Sequence, residues 1–112
     1  MKTSFNVPRS LVELETEILN KMDIPRVVLH RRMIRYYFDH DIKISPRILA
    51  RGGVKKDGNI QIYLSDDEKA LLDREVARTG CKIGQILLQA AISYYAVVAQ
   101  SLIKEGLLDD IF

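Results

Sequence analysis

The sequence has few of the residues that mark secreted, membrane or disulfide-rich proteins. It contains one cysteine in 112 residues, so no disulfide can form within the chain, and a reducing cytoplasm is the expected location. The first ten residues, MKTSFNVPRS, lack the apolar core of a secretory signal. No run approaches about 18 uninterrupted apolar residues, so we expect no membrane span and no membrane partner.

The sequence also lacks the residue patterns of an active site or a metal centre. It has no Ser/His/Asp or Cys/His spacing and no paired carboxylates, and Gly52-Gly53 is too short to cradle a nucleotide. His30 and His40 lie ten positions apart, and aspartates flank the second one, which is a weak basis for metal ligation. We therefore expect no enzyme activity, no metal and no cofactor.

The net charge of +2 hides an asymmetry between the two halves of the chain. Residues 1–56 hold twelve Lys/Arg against six Asp/Glu, a balance of +6, and residues 57–112 hold five against nine, a balance of −4. A basic half joined to an acidic half suggests that only one half faces a polyanion. The alternative is that the difference arose by drift on solvated surfaces.

Two short alternating segments predict two strands, each followed by a helix. Residues 3–7 (TSFNV) and 59–64 (NIQIYL) alternate polar and apolar residues, the pattern of a strand with one buried face. Pro8 suits the first turn of a helix, because its missing N–H would have no partner there. Ser65 and Glu68 have the spacing of a capping box at the start of another helix.

Each half continues with a second helix. The first helices are predicted to end near Asp23 and at Gly80, where glycine suits a left-handed C-cap, and the second helices to begin near Pro25 and Ile83. The predicted buried positions are Leu11, Leu14, Ile18, Met22, Leu29, Met33, Tyr36, Tyr37, Leu72, Val76, Thr79, Ile83, Ile86, Leu87, Ala90, Tyr94 and Val97. Cys81 is expected to be a buried filler in the turn between helices.

The two halves form a repeat. The segment 7–10 (VPRS) lies 57 positions before 64–67 (LSDD), and Tyr36-Tyr37 lies 58 positions before Tyr94-Tyr95. We predict one strand–helix–helix unit at residues 1–39, a basic linker at 40–57 with a short helical turn from Pro46 to Ala50, a second unit at 58–100, and an apolar C-terminal tail at 101–112. A single unit contains no second strand to pair with its own, so we expect the strands of the two units to pair antiparallel over a shared core. The expected fold is mainly α with a two-stranded antiparallel β-ribbon, an intramolecular pseudo-dimer.

This order of elements resembles the MetJ/Arc/CopG ribbon-helix-helix family, with two units in tandem. In that family Leu-Pro-x-x-Leu closes the strand and opens the first helix, as residues 7–11 (VPRSL) do here, and residues 80–87 (GCKIGQIL) resemble its inter-helix turn. The resemblance covers residues 2–38 and 58–98. It implies a DNA-binding protein of the kind found among transcriptional repressors, plasmid copy-number and transfer proteins, and antitoxins.

The resemblance assigns base contacts in the DNA major groove to the outward side chains of the ribbon. These are Lys2, Ser4, Asn6, Asn59, Gln61 and Tyr63. Asparagine and glutamine can bridge adenine N6 and N7, and lysine can reach guanine O6 and N7. The alternative is that they are only solvent-facing residues on short strands. The second strand has no outward Lys or Arg and is followed by three acidic residues, so the first unit is expected to dominate recognition.

Phosphate contacts are expected at the N-terminus of the second helix of each unit, where free N–H groups and the helix dipole favour an anion, and along the linker. The predicted phosphate-contacting residues are Arg9, Arg26, Lys82, Gly84, Lys55 and Lys56. Arg31, Arg32 and Arg35 lie further along and are either solvated surface or backbone contacts.

The sequence thus predicts a sequence-specific double-stranded DNA-binding protein, a transcriptional regulator of the repressor type, reading an asymmetric site because its two strands differ. The alternative is an antitoxin or an assembly or relaxosome-type adaptor that acts mainly through protein–protein contacts. The last helix is apolar on nearly every side. Either residues 102–112 or another copy or partner protein must cover it, and the sequence leaves both open.

Overall fold

The computed structural model describes residues 1–108, which form two strands and five helices in two strand–helix–helix units. The first unit contains β1 (Lys2–Val7), α1 (Arg9–Met22) and α2 (Arg26–Asp39). A short helix, α3 (Pro46–Leu49), lies in the connection, which confirms the predicted helical turn. The second unit contains β2 (Gly58–Tyr63), α4 (Asp66–Thr79) and α5 (Ile83–Lys104). The fold is mainly helical with a two-stranded sheet, as predicted.

The two strands pair antiparallel in a register that reflects the repeat. Lys2 pairs with Tyr63 at one end, and Ser4 pairs with Gln61 near the centre. Gln61 lies 57 positions after Ser4, which is the offset that aligns the two units in the sequence. The central pair therefore joins two residues that are equivalent in the repeat. A pseudo-two-fold axis that relates the two strands passes through this Ser4–Gln61 pair. This register makes the chain an intramolecular pseudo-dimer.

Local signals in the sequence set several helix ends. The Ser65 side chain accepts a hydrogen bond from the Glu68 N–H at 3.2 Å, and the Glu68 carboxylate accepts one from the Ser65 N–H at 2.9 Å, which confirms the capping box. Gly80 ends α4 with φ +73°, the left-handed conformation that glycine adopts without steric cost. Asp23 ends α1 with φ +54°. Pro8 lies one residue earlier than predicted, at the N-cap of α1.

Helix α5 is the central helix of the fold. It contacts β1, α1, α2, α3 and α4, so five elements of the chain pack against it. Its buried residues are Ile86, Leu87, Leu88, Gln89, Ala90, Ala91, Tyr95, Val98, Ala99 and Leu102. Ala96, Gln100 and Ser101 on another face of the helix are exposed, so coverage of that face by the tail or by another copy stays a prediction. Val97, predicted to be buried, is 49% exposed, because the opposite face of the helix packs against the core.

Two further features of α5 bear on its role. The helix runs to Lys104, four residues past the predicted end of the second unit. Within residues 1–108 it is the one helix long and apolar enough to cross a membrane, judged by length and composition, and half of its most apolar window is buried in the fold. Its contacts with five other elements are those of a core helix. Beyond it, Leu107 is exposed and Leu108 is half-buried, and the rest of the predicted tail lies outside the described residues.

The linker is packed against both units. Ile48 is buried, and the Ser45 N–H donates a hydrogen bond to the Gln89 side chain of α5 at 2.7 Å. At the other end, Gly58 starts β2 against α1, where a Cβ would lie 3.0 Å from a Val12 methyl carbon and 3.2 Å from the Arg9 Cα. The absence of a side chain at Gly58 lets the second strand approach the first helix.

Candidate nucleic-acid interface

The six candidate base-contacting side chains lie on one exposed face of the ribbon, which we call the outer face. They are Lys2, Ser4 and Asn6 on β1 and Asn59, Gln61 and Tyr63 on β2, and each is exposed. They alternate with buried residues that join the core, namely Phe5, Val7, Ile60 and Ile62. The outward orientation expected from the sequence is thus present in the structure. Contact of these residues with DNA stays a prediction.

The outer face has two chemically different ends. At one end the Lys2 ammonium lies 5.7 Å from the centroid of the Tyr63 ring, which forms a cation–π contact. At the other end the Asn59 Nδ2 donates hydrogen bonds to Asn6 Oδ1 at 3.1 Å and to the Phe5 carbonyl at 3.3 Å. We refer to these as the lysine–tyrosine end and the amide end. The Ser4–Gln61 pair lies between them.

The second helix of unit two begins beside the ribbon. A Cβ at Gly84 would lie 3.7 Å from the Phe5 Cβ, so the first turn of α5 packs close to β1. Lys82, just before this turn, is exposed, and its N–H is satisfied by the Gln85 side chain at 2.8 Å. Gly84 therefore lies near β1 with Lys82 two residues before it, and contact of either residue with phosphate stays a prediction.

Arg26, at the start of α2, has a second role that the sequence did not indicate. Its Nε donates a hydrogen bond to the Glu15 carboxylate at 2.9 Å, while its side chain remains 56% exposed. The guanidinium thus joins the protein interior to the surface. A phosphate contact by Arg26 would use the part of the guanidinium that does not bind Glu15.

The remaining phosphate candidates lie beside a carboxylate. The Asp57 side chain accepts a hydrogen bond from the Arg9 N–H at 2.8 Å, and this bond holds the pKa of Asp57 below its usual value. The Lys55 ammonium lies 3.7 Å from the same carboxylate, and Lys56 is exposed nearby in the sequence. Asp57, which the sequence pattern did not single out, reduces the positive charge near Lys55 and Lys56, whose contact with phosphate stays a prediction.

Two of the four arginines of α2 lie next to α4. Arg31 and Arg35 line a groove between α2 and α4, which we call the polar groove, together with Ser65 and Glu68. Ile34, Phe38, Asp39 and Leu71 complete its lining. These neighbours belong to α2 and the start of α4 rather than to the outer face of the ribbon, which favours the solvated-surface interpretation of Arg31 and Arg35.

A buried polar cluster around Glu15 links the two units. The Glu15 carboxylate accepts hydrogen bonds from Arg26, from the His30 ring at 3.0 Å and from the Tyr95 hydroxyl at 2.5 Å. Burial alone would raise the pKa of Glu15, but the hydrogen bonds from His30 and Tyr95 and the charges of His30 and Arg26 outweigh it, so the pKa is lowered. Burial beside this carboxylate raises the pKa of Tyr95, which stays protonated as a donor.

A second cluster surrounds Glu75 on α4. The Tyr37 hydroxyl donates a hydrogen bond to Glu75 at 2.7 Å, and the Arg78 guanidinium donates two, at 2.6 and 3.0 Å. Tyr37 and Tyr95 lie 58 positions apart and are equivalent in the repeat. Each tyrosine therefore connects its own unit to the first helix of the other unit.

The sequence contains a signal for the buried carboxylates. Glu15 lies four residues after Leu11 and three before Ile18, which is the spacing of the buried face of α1. A carboxylate at such a position is buried and needs partners. The partners come from α2 and α5, so their identity depends on the tertiary structure.

The residues considered as metal ligands do not meet. His30 is buried against Glu15, whereas His40 is exposed and stacks on Tyr36 with ring centroids 4.0 Å apart. Residues 1–108 contain no group of three or more side chains that could hold a metal ion. Cys81 is half-buried and packs against the core, so it is less enclosed than the sequence suggested.

Comparison of the chain with family models, with curated proteins and with solved structures gives no match. The interpretation of its function therefore depends on its own residues and geometry.

Proposed function

We propose that this chain is a sequence-specific double-stranded DNA-binding protein of the ribbon-helix-helix type, with the outer face of its β-ribbon in the major groove. The observation that carries the proposal is the outer face itself, on which alternating residues of both strands expose amine, amide and hydroxyl groups. A two-stranded ribbon, with strands about 4.8 Å apart, fits a major groove about 12 Å wide. Such groups match the hydrogen-bonding edges of the bases.

The positions of the cationic residues support this orientation. Lys82 and Gly84 lie at the start of α5 beside β1, and Arg26 lies at the equivalent start of α2. With the ribbon in the groove, backbone N–H groups and these cations would face the flanking phosphates. Base contacts would supply sequence discrimination, and the phosphate contacts would supply salt-dependent affinity.

We further propose that the protein acts as a transcriptional regulator of the repressor type in the cytoplasm. A protein that occupies the major groove at a specific site prevents other proteins from using the same DNA. This role needs duplex DNA as the partner and requires neither catalysis nor a cofactor.

Fluorescence anisotropy with labelled duplex DNA at two salt concentrations tests the proposal. The test variant is Asn6→Ala with Gln61→Ala, and the matched control is Asn20→Ala with Gln100→Ala, which removes the same side chains from exposed positions on α1 and α5. We expect wild type and control to bind in the micromolar range or tighter and to weaken with salt. The test variant should keep salt-dependent binding and lose discrimination between sequences. Absence of salt-dependent binding by wild type contradicts the proposal.

An alternative function, as an antitoxin or assembly adaptor, is favoured by a groove between α1 and α5, which we call the apolar groove. It measures about 250 Å³ and is lined by Leu11, Leu14, Ile92, Ala96, Ala99, Gln100 and Ile103. Light scattering tests whether this groove mediates association with a second copy. In that case the solution mass exceeds the 12.8 kDa of one chain, and Leu14→Lys restores the mass of one chain while DNA affinity is unchanged.

A further inference from the structure

We infer that the recognised DNA site is non-palindromic and has a fixed polarity, with guanine read at the lysine–tyrosine end of the ribbon and adenine read at the amide end. This inference rests on the proposed function, since it names the DNA sequence class that the outer face fits. It assigns Lys2 to the guanine position and the pair Asn6 and Asn59 to the adenine position.

The pseudo-two-fold axis shows why the site has a polarity. Rotation about the Ser4–Gln61 pair places Lys2 on Asn59 and Asn6 on Tyr63, because the same 57-residue offset relates each pair. The chemistry differs in each of these exchanges: an ammonium for an amide, and an amide for a phenol. The backbone of the ribbon is thus nearly symmetric, while the groups that would read DNA are not. A palindromic site would offer the same base edges to two unlike ends.

The hydrogen bonds within the amide end define what it can still bind. The Asn59 Nδ2 is engaged by Asn6 Oδ1 and by the Phe5 carbonyl, which leaves the Asn6 amide N–H groups as donors and the Asn59 Oδ1 as acceptor. Adenine presents an acceptor, N7, beside a donor, the N6 amino group, in the major groove. The joined pair is therefore complementary to adenine, and each asparagine holds the other in position.

The lysine–tyrosine end differs from the amide end because its lysine offers donors and no acceptor. The Lys2 ammonium has three donors and no acceptor, and its position over the Tyr63 ring limits its reach to bases at that end of the ribbon. Guanine presents two neighbouring acceptors, O6 and N7, in the major groove. A group that only donates fits this edge and finds an unfavourable amino donor on adenine N6.

Selection of bound duplexes from a randomised library tests the inference. We expect wild type to enrich a non-palindromic motif with guanine at one end and adenine at the other. Lys2→Ala should reduce discrimination at the guanine position alone, and Asn6→Ala at the adenine position alone, each by about 5- to 150-fold. The control Asn20→Ala should enrich the wild-type motif.

A symmetrised ribbon provides the sharpest comparison. Asn59→Lys with Gln61→Ser and Tyr63→Asn gives β2 the outward residues of β1 at the three equivalent positions. We expect this variant to enrich a palindrome. All three positions are exposed, and circular dichroism checks that the variant folds. If it does not fold, the wild-type selection and the two alanine variants decide the question.

The outcomes separate the inference from the function on which it rests. If wild type binds duplex DNA in a salt-dependent manner but enriches a palindrome or no motif, the inference is wrong and DNA binding stands. If Lys2→Ala alters the adenine position, the assignment of the two ends is wrong. If wild type shows no salt-dependent binding to duplex DNA, the proposed function itself fails.

Discussion

The two strand–helix–helix units have the same order of elements, but the carboxylates near the N-termini of their first helices, α1 and α4, come from different parts of the sequence. Helix α4 carries Asp66, Asp67 and Glu68 in its first turn, where negative charge stabilises a helix N-terminus. The first turn of helix α1, which the structure describes in full, contains no acidic residue. There the Asp57 side chain from the linker accepts a hydrogen bond from the Arg9 N–H instead. The first helix of each unit thus has a carboxylate at its N-terminus, supplied from different positions in the sequence.

The buried carboxylates also occupy different positions of the repeat in the two units. At the 57-residue offset, Glu15 corresponds to Leu72 and Ile18 corresponds to Glu75, and all four side chains are buried. Each first helix thus buries one carboxylate and one aliphatic side chain at these two positions, in opposite order. The equivalent tyrosines of α2 and α5 bind a carboxylate in both arrangements.

The two grooves between units differ in chemistry. Leu11 of the apolar groove corresponds in the repeat to Glu68 of the polar groove, and Ala96 corresponds to Phe38. The difference leaves an apolar groove on one side of the pseudo-dimer and a charged groove on the other. Association with another protein, if it uses these grooves, is therefore expected on the α1–α5 side.

The largest expected effect comes from removing the buried carboxylates. Glu15→Ala should lower the free energy of unfolding by about 3–5 kcal/mol, because it leaves buried hydrogen-bonding partners without an acceptor. Glu75→Ala should cost less, about 1–2 kcal/mol, because it leaves one buried partner, the Tyr37 hydroxyl, without an acceptor, whereas the Arg78 side chain is 67% exposed and can be hydrated. Urea unfolding measures both, and Glu13→Ala, at an exposed position on α1, is the control. Equal losses for Glu15 and Glu75 would remove the distinction between the clusters.

The next effect contrasts the glycines at the two strand–helix contacts. Gly58→Ala should destabilise the protein by about 1–3 kcal/mol, because the new Cβ meets the Val12 methyl and the α1 backbone. Gly84→Ala should be neutral or stabilise by up to about 1 kcal/mol, because its Cβ has room and alanine favours the helix. Thermal unfolding measures the difference, and a similar change for both variants would argue against the close approach at Gly58.

Acidification should lower the free energy of unfolding because Glu15 becomes protonated. Because the pKa of Glu15 is lower in the folded protein than the ordinary value of 4.5, this group contributes stability above that value and loses it as the pH falls through the folded pKa. We expect the free energy of unfolding to fall with acidification below about pH 4.5 in wild type. Glu15→Gln, which keeps the shape and removes the titration, should give a flatter pH profile. Parallel profiles would show that other carboxylates dominate.

The smallest expected effects concern the phosphate candidates of the two units. Lys82→Ala should reduce DNA affinity and should lower the slope of log affinity against log salt concentration by about 1. It should leave stability unchanged, because Lys82 is exposed. Arg26→Ala should reduce both DNA affinity and stability, because Arg26 also binds buried Glu15. Anisotropy across a salt series, with urea unfolding in parallel, measures the pair. A loss of stability in Lys82→Ala would contradict the separation of roles.

Local rules predicted much of the fold. The alternation of residues 59–64 identified β2, the Ser65 and Glu68 spacing identified the start of α4, and Gly80 identified its end. The outward residues of the ribbon followed from the same alternation. The exposure of Val97 was not predicted, because α5 is apolar on nearly every side and periodicity does not show which face meets the core.

The sequence by itself determined the repeat, the strand and helix positions and the identity of the outer-face residues, because these depend on spacing along the chain. The tertiary structure alone decided which groups meet: Asp57 with the start of α1, Glu15 with Tyr95, and Lys2 with Tyr63. These contacts join residues that are 48, 80 and 61 positions apart. Hydrogen bonds and charge contacts at such separations depend on how the units dock, which no local pattern encodes.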